Sequence, residues 1–322
     1  MKIKNKIMIP SMAGVLATGL LFAGCGNAAN NTSKDELMEG AVKKAASATS
    51  VDLEMNVDVE GKIKAEGLEL VMMMKGDMGV EANVKTQEAH LKGDYKIQAV
   101  GQEKEAKMEL YQVADKGKMY TYSNVSSDSD NTGWLVSENA VSADKKISDA
   151  KIDINQVTEV YGKLKEYLAD SALQNKTENK EGRECYLVSG TIKGSDLVKL
   201  ANESGNGDNS ELESLKDSGV DIDKLKVDVR CYFDKNSKDP YVIEFDMSKG
   251  LADALSGLDT AGLKGAKMEF PEFKAMIKFN SFDKTDSITV PDDVKTKAKK
   301  SSAKDKGIDN AIDTLNPLKS FS

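Results

Sequence analysis

Apolar and polar residues alternate along much of this chain with a period of two. Leu53, Met55, Val57 and Val59 take turns with Glu54, Asn56, Asp58 and Glu60, the pattern of a strand with one dry and one wet face. Beyond Gly61 and Gly67 the apolar set resumes at Leu68, Leu70, Met72 and Met74. Gly76 and Gly79 read as a further turn, followed by Val80, Ala82 and Val84. The same alternation predicts strands over 88–99, 106–114 and 118–123, the last two joined as a hairpin by Asp115-Lys116-Gly117. Strands spaced this regularly predict one antiparallel meander.

Around the meander the period shifts to 3.6. Ser33-Lys34-Asp35-Glu36 has capping-box spacing, with the glutamate placed to reach back to the cap. Met38, Ala41, Val42 and Ala45 follow, so residues 34–47 are predicted to form an amphipathic helix. A second helix is predicted over 153–173, where Val157, Val160, Tyr161, Leu164, Tyr167 and Leu168 share a face. Strands return at 183–193, 226–233, 241–247 and 268–282, with short helices at 195–203 and 209–217. Residues 250–265 set leucines among glycines and fit either a weak helix or a lid-like loop. Val290-Pro291-Asp292-Asp293-Val294 closes a domain spanning 34–295, and 296–322 reads as a charged tail.

The first 24 residues follow neither pattern. Lys2, Lys4 and Lys6 precede a run of apolar and small residues that ends Leu21-Phe22-Ala23-Gly24-Cys25. That order of parts is a secretory signal, removed rather than folded. Its end resembles the lipobox of bacterial lipoproteins, in which a peptidase cuts before the cysteine and the sulfur then carries a diacylglycerol. Phe22 stands where that group usually has leucine, with Leu21 one step earlier. The resemblance implies lipidation at Cys25, the membrane as a partner through that lipid, and residence on the extracytoplasmic face. A transmembrane anchor, or a cleaved signal followed by a chance cysteine, is the alternative. Residues 25–33 are small and polar and suit a flexible tether. Past the signal no run of about 18 apolar residues occurs to span a bilayer.

Composition narrows the class. The chain has 322 residues with 45 basic and 53 acidic side chains, and loss of the signal with its three lysines takes the net charge from −8 to −11. Such an acidic surface repels nucleic acid and anionic headgroups, which excludes DNA binding and a polybasic anchor. An apolar share of 39% with only 6% aromatics describes a soluble, strand-rich domain with a modest core, not a disordered chain. With Cys25 lipidated, Cys185 and Cys231 remain, each in a predicted strand. They form either a disulfide across adjacent strands or two small buried apolar positions.

Several short segments carry a wider resemblance: Met119-Tyr120-Thr121-Tyr122, Gly133-Trp134, Tyr232-Phe233-Asp234-Lys235, Tyr241-Val242-Ile243 and Ile288-Thr289-Val290-Pro291. Together with the order of elements they resemble the LolA-like group, which includes periplasmic lipoprotein carriers and the mycobacterial LppX/LprG-type lipoproteins. More closely, the chain resembles small Gram-positive lipoproteins placed near that group. The resemblance covers nearly all of the mature chain and implies an α+β fold: a strongly curved antiparallel sheet, an unclosed barrel, with helices covering its concave face. It also implies a cavity between sheet and helices able to hold acyl chains. Leu68, Leu70, Met72 and Met74 would line it from the sheet, and Val157, Tyr161, Leu164 and Leu168 from the long helix. Unbranched methionine suits a surface that adapts to a flexible chain. The same stripes equally suit a packed core.

Chemical motifs are scarce. His90 is the sole histidine, set in a polar strand pattern, and no Gly-x-Ser-x-Gly elbow accompanies it, so it is expected to be a surface residue. No zinc ligand set, phosphate-binding loop or dinucleotide fingerprint occurs, so neither a metal nor a cofactor is implied. Asp128, Asp130, Thr132 and Gly133 match positions 1, 3, 5 and 6 of a calcium loop. Position 12 is Asn139, however, with Glu138 one residue early, and a solvated hairpin tip is the better reading. The sequence thus points to a non-enzymatic, membrane-anchored lipoprotein that binds a lipid or other hydrophobic ligand. A surface interaction module with a filled core and a protein or cell-wall polymer as partner is the alternative.

Overall fold

A computed structural model of the chain describes residues 32–65, 68–83, 85–99, 101–127, 133–140, 165–168, 171–174, 177–203, 220–255 and 267–300. The signal and Cys25, most of the 153–173 helix, the 209–217 helix and the end of the chain lie outside them.

The described residues build a single large sheet. β1 (Ser50–Ala65), β2 (Leu68–Asn83), β3 (Glu88–Ala99), β4 (Gln102–Asp115), β5 (Lys118–Ser127) and β6 (Leu135–Ala140) pair in chain order as the expected meander. β7 (Ala172–Leu173), β8 (Glu178–Lys180), β9 (Arg183–Lys193), β10 (Lys226–Asp234), β11 (Pro240–Asp246) and β12 (Lys267–Phe282) form the other half, and β12 pairs with β1 to join the two. β13 (Lys299–Lys300) lies parallel to β6; every other pairing is antiparallel. The order β13-β6-β5-β4-β3-β2-β1-β12-β11-β10-β9-β7 leaves two free ends, with β8 also pairing β9, so this is an unclosed, curved sheet of α+β type.

Two glycine readings change. Gly76 and Gly79 lie inside β2 rather than at a turn. The ring of Tyr95, directly across on β3, covers Gly76 so closely that a methyl group there would sit 3.0 Å from it. Gly61 likewise lies within β1, beneath the Phe270 ring of β12, 3.3 Å from where a methyl would be. Gly76 and Gly61 seat aromatic rings on the pleat instead of breaking the strand.

α1 (Lys34–Ser47) forms as its cap predicts, with Ser33 Oγ accepting from Glu36 N–H at 3.1 Å. The Glu36 carboxylate does not reach back to the cap; it pairs with Lys238 Nζ in the β10–β11 turn, at 2.7 Å. α2 (Gly194–Glu203), a 3₁₀ turn (Ile222–Lys224), α3 (Ser248–Leu255) and α4 (Asp292–Lys297) complete the elements. α3 shows that the first part of 250–265 is no lid, since Gly250 and Ala254 are buried against the sheet. The helix expected over 153–173 is over by Leu168, and residues 172–173 pair as a strand with β9. Beyond residue 295 the fold continues through α4 into β13.

Face assignments follow from register. One face collects Val51, Met55, Val59, Val80, Val188, Val229, Cys231, Phe233, Ile243, Phe245, Phe273 and Phe279, with Leu37, Met38, Ala41 and Ala45 of α1 laid on it. The opposite face carries two smaller clusters, one around Cys185, Leu187, Tyr232, Tyr241 and Val242, the other around Tyr111, Ile288, Val290 and Val294. The cysteines therefore do not form the disulfide considered above. Cys231 pairs with Val188 and Cys185 with Asp234, an odd offset along each strand, which sets the two free thiols on opposite faces of the sheet. Burial pushes the Cys185 thiol up to about 11 and that of Cys231 to about 12.

Candidate functional site

The helix-covered face differs between its two halves. Over β9–β12 it is dense: Val188, Val227, Val229, Cys231, Phe233, Ile243, Phe273 and Phe279 are almost wholly shielded. Over β1–β4 the register brings together Val57, Ile63, Leu70, Met72, Met74, Met78, Leu91, Ile97, Met108 and Leu110 on the same face, and none of these is fully buried. Leu70 is the one exposed large apolar residue among those described, at 39%. Tyr95 stands among them, its hydroxyl directed at Met78 Sδ (3.5 Å) and burial raising its ionisation above the ordinary phenol value.

Strand lengths explain the contrast. β11 ends at Asp246, opposite Lys274 of β12, whereas β12 runs back a further seven residues to Lys267 alongside β1. At ~3.3 Å per residue, β1, β2 and β12 project roughly 23 Å past the end of β11. This arm carries Ile63, Leu70, Met72, Met74, Met268 and Phe270 on the helix-covered face. Glu269 on its other face is held down to about 2 by hydrogen bonds from Lys267 and Lys64.

Of the positions expected to line a ligand, Leu70, Met72 and Met74 thus share one half-open surface with Met78, Ile97 and Met108, which the sequence reading did not include. The alternation of β3 and β4 carried the signal for Ile97 and Met108, and Met78 continues the β2 stripe across the glycines read as a turn, but only the register shows that the three align. Leu168 does not join this surface: it is nine-tenths or more shielded, part of the dense core, and touches Gly190 on β9. The side chain of Leu68, together with Val157, Tyr161 and Leu164, lies outside the described residues.

On the opposite face, residues 283–291 cross the sheet as a strap. Asp283 N–H donates to Ser50 O (2.9 Å), Thr285 N–H to Ser50 Oγ (2.9 Å) and Ile288 N–H to Glu88 Oε2 (2.8 Å). Ile288, Val290 and Val294 then pack on Tyr111, Val113, Tyr122 and Trp134. Between strap and sheet is a polar cleft of about 480 Å³, lined by Asp52, Glu81, His90, Tyr111 and residues 284–289. His90, expected at the surface, is part-exposed on this cleft and engaged by its neighbours. Its ring stacks on Tyr111 (4.2 Å between centroids), and its Nε2 is 3.0 Å from Glu109 Oε1, which also accepts the Tyr111 hydroxyl at 2.8 Å. Burial and then the Glu109 carboxylate push the Tyr111 phenol well above its ordinary value. The partial calcium-loop match joins two paired strands, β5 and β6, rather than two helices; residues 128–132 themselves lie outside the described set.

No family model matches the chain, and no curated protein does. Solved structures do. The chain is similar to LprF from Mycobacterium bovis (13% identity over 81% of this chain and 99% of that one, TM-score 0.39). It is also similar to a β-barrel-like protein of a domain of unknown function from Brucella abortus (12% identity, 74% and 100%, TM-score 0.25). Among the described residues no helix is long and apolar enough to cross a membrane. An open, curved sheet of α+β type is the architecture that the resemblance implies. α1 lies on the face expected to be covered, but α4 packs with the strap on the other face, because Val294 completes the apolar cover over Tyr111.

Proposed function

We propose that this chain is an extracytoplasmic lipoprotein, anchored through Cys25, that binds a hydrophobic or amphiphilic ligand without acting on it chemically. The observation that carries the reading is the half-open, methionine-rich surface of β1–β4, set beside a half of the same face that is fully packed. A core with no ligand to accommodate gains by closing, because each buried CH₂ contributes about 0.8 kcal/mol. Leaving Leu70, Met72, Met74, Met78 and Ile97 part-covered forgoes that gain, and unbranched side chains adapt to a mobile apolar chain. The test is a titration of the mature chain with a dansyl-labelled fatty acid, alongside lipid extraction of the purified protein. Saturable binding that weakens at least tenfold in Met74→Lys is expected. Lipid-free protein that also fails to bind the probe refutes the reading. A surface interaction module, with a protein or cell-wall polymer as partner, is favoured instead by the polar cleft under the strap, and would be the conclusion if such a polymer bound while the fatty acid did not.

A further inference from the structure

The apolar surface has a closed end and an open end, and α1, the first element after the tether in sequence, sits at the closed one. Register places Ser50, Asn83, Glu88, Asp115 and Lys118 at one pole of the sheet, along with the ends of β10 and β12 and the start of β11. α1 lies at this pole. Near its start Glu36 pairs with Lys238 of the β10–β11 turn (2.7 Å), and near its end Lys44 is 3.4 Å from Asp283, just past β12. Its Leu37, Met38, Ala41 and Ala45 are buried in the core, so the first element after the tether stoppers that end of the face. Of the half-open residues, Ile63, Leu70, Met72 and Ile97 lie toward the other pole, and among them Leu70 is the exposed one, while Leu91 and Leu110 lie nearer α1 and are only part-exposed. Leu70 pairs with Ile63 near the β1–β2 turn, 13 residues along β1 from Ser50, or roughly 43 Å at ~3.3 Å per residue.

We propose that the ligand enters and leaves at the pole remote from the anchor, so that it is exchanged with a source beyond the bilayer that holds the protein. The inference rests on the proposed function and on anchoring through Cys25. The eight residues from Cys25 to Thr32 reach at most about 28 Å at ~3.5 Å each, and Ser33, the cap of α1, follows them directly. Chains drawn from the anchoring leaflet would have to pass the packed α1 side of the face. Chains arriving from outside meet Leu70, Ile63 and Met72 first. The partner is accordingly a donor or acceptor of single apolar chains in the space outside the anchoring membrane.

The test uses the full lipidated chain reconstituted in vesicles, with Leu70→Trp as the reporter; position 70 is exposed and tolerates the ring. Emission of the variant minus that of the parent, which retains Trp134, isolates position 70. Dibromostearic acid supplied in solution is expected to quench this difference signal by more than half. Bromine-labelled phosphatidylcholine in the anchoring vesicle is expected to leave it unchanged. Quenching by the vesicle lipid would overturn the proposal, since position 70 would then face the bilayer. Binding of a dansyl-labelled fatty acid by the same sample with no quenching by dibromostearate would overturn it too, while leaving the proposed function standing. Failure to bind either fatty acid would remove both.

Discussion

Two helical glycines in this fold should respond to the same substitution with opposite signs. A methyl group at Gly250 in α3 would lie 2.0 Å from Lys226 O and 2.4 Å from Lys226 N, both backbone atoms of β10. Real carbon–oxygen contacts need more than 3 Å, so α3 must lift by over ~1 Å or β10 must bend. The helix is not free to do either. Met247 N–H donates to Phe273 O (2.9 Å), Phe273 N–H to Ser248 Oγ (2.8 Å) and Asp221 N–H to Ala254 O (2.9 Å). Overpacking of this kind costs about 1–3 kcal/mol, more than the ~1 kcal/mol that alanine gains over glycine in a helix. At Gly40 in α1 an added methyl meets nothing within 4 Å, leaving the propensity gain of about 0.5–1 kcal/mol unopposed. Set against the helix-propensity gain, the net loss should lower the urea midpoint of Gly250→Ala by up to roughly 1 M for a slope near 2 kcal/mol/M, and Gly40→Ala should show a midpoint slightly raised. A Gly250→Ala protein as stable as the parent would refute the close approach of α3 to β10.

Two further outcomes follow from the same contacts. Asp283 Oδ1 accepts from Thr49 N–H (2.6 Å) and Thr49 Oγ1 (3.1 Å), with Lys44 close by; burial raises its pKa, but these donors outweigh it and hold the carboxyl below its ordinary value. A lowered folded pKa gives stability that is present above the unfolded value of ~3.9 and is lost as pH falls through the folded one. With the carboxyl more than a third exposed and asparagine still able to accept from Thr49, Asp283→Asn should cost only about 0.5–1 kcal/mol at pH 7 and narrow its gap to the parent below pH 4, as read by thermal melting; a constant gap would defeat this account. Cys185 and Cys231 should stay unreactive toward a thiol reagent in the native protein and both react once it is unfolded without reductant. Failure of both to react in the unfolded chain would mean they are bridged.

Much of the meander was legible because β1 and β3–β5 keep strict alternation and their hairpins carry ordinary turn residues. Glycine misled the reading where it serves as a seat for a ring: nothing local tells that Gly76 lies under Tyr95 or Gly61 under Phe270, because both partners come from another strand. The cysteines misled for a related reason. Each sits in a convincing strand, but the face it occupies depends on a register fixed by long-range pairing. The methionine stripe of β2 was visible from its alternation, whereas its continuation through Ile97 and Met108 required the order of strands. Least visible was the strap. Val290-Pro291-Asp292 reads as an ending, and only the aromatic floor of Tyr111, Tyr122 and Trp134 makes it a cover.

The seam between β1 and β12 bears on how the chain acquires its structure. Val59 lies opposite Phe273, 214 positions later, and Val51 opposite Phe282. Contacts so distant in sequence are the slow ones, because loop closure must precede any gain from pairing. The β1–β6 meander can assemble early from neighbouring hairpins, but β1 then waits as an unpaired edge until β12 has been synthesised. Ser50 gathers the same delay into one residue, since its carbonyl and hydroxyl accept from Asp283 and Thr285, both made later still. For most of its synthesis the nascent protein therefore exposes a sixteen-residue edge strand, a template for intermolecular pairing. The charges that punctuate β1 at Glu54, Asp58, Glu60, Lys62 and Lys64 keep that waiting edge soluble.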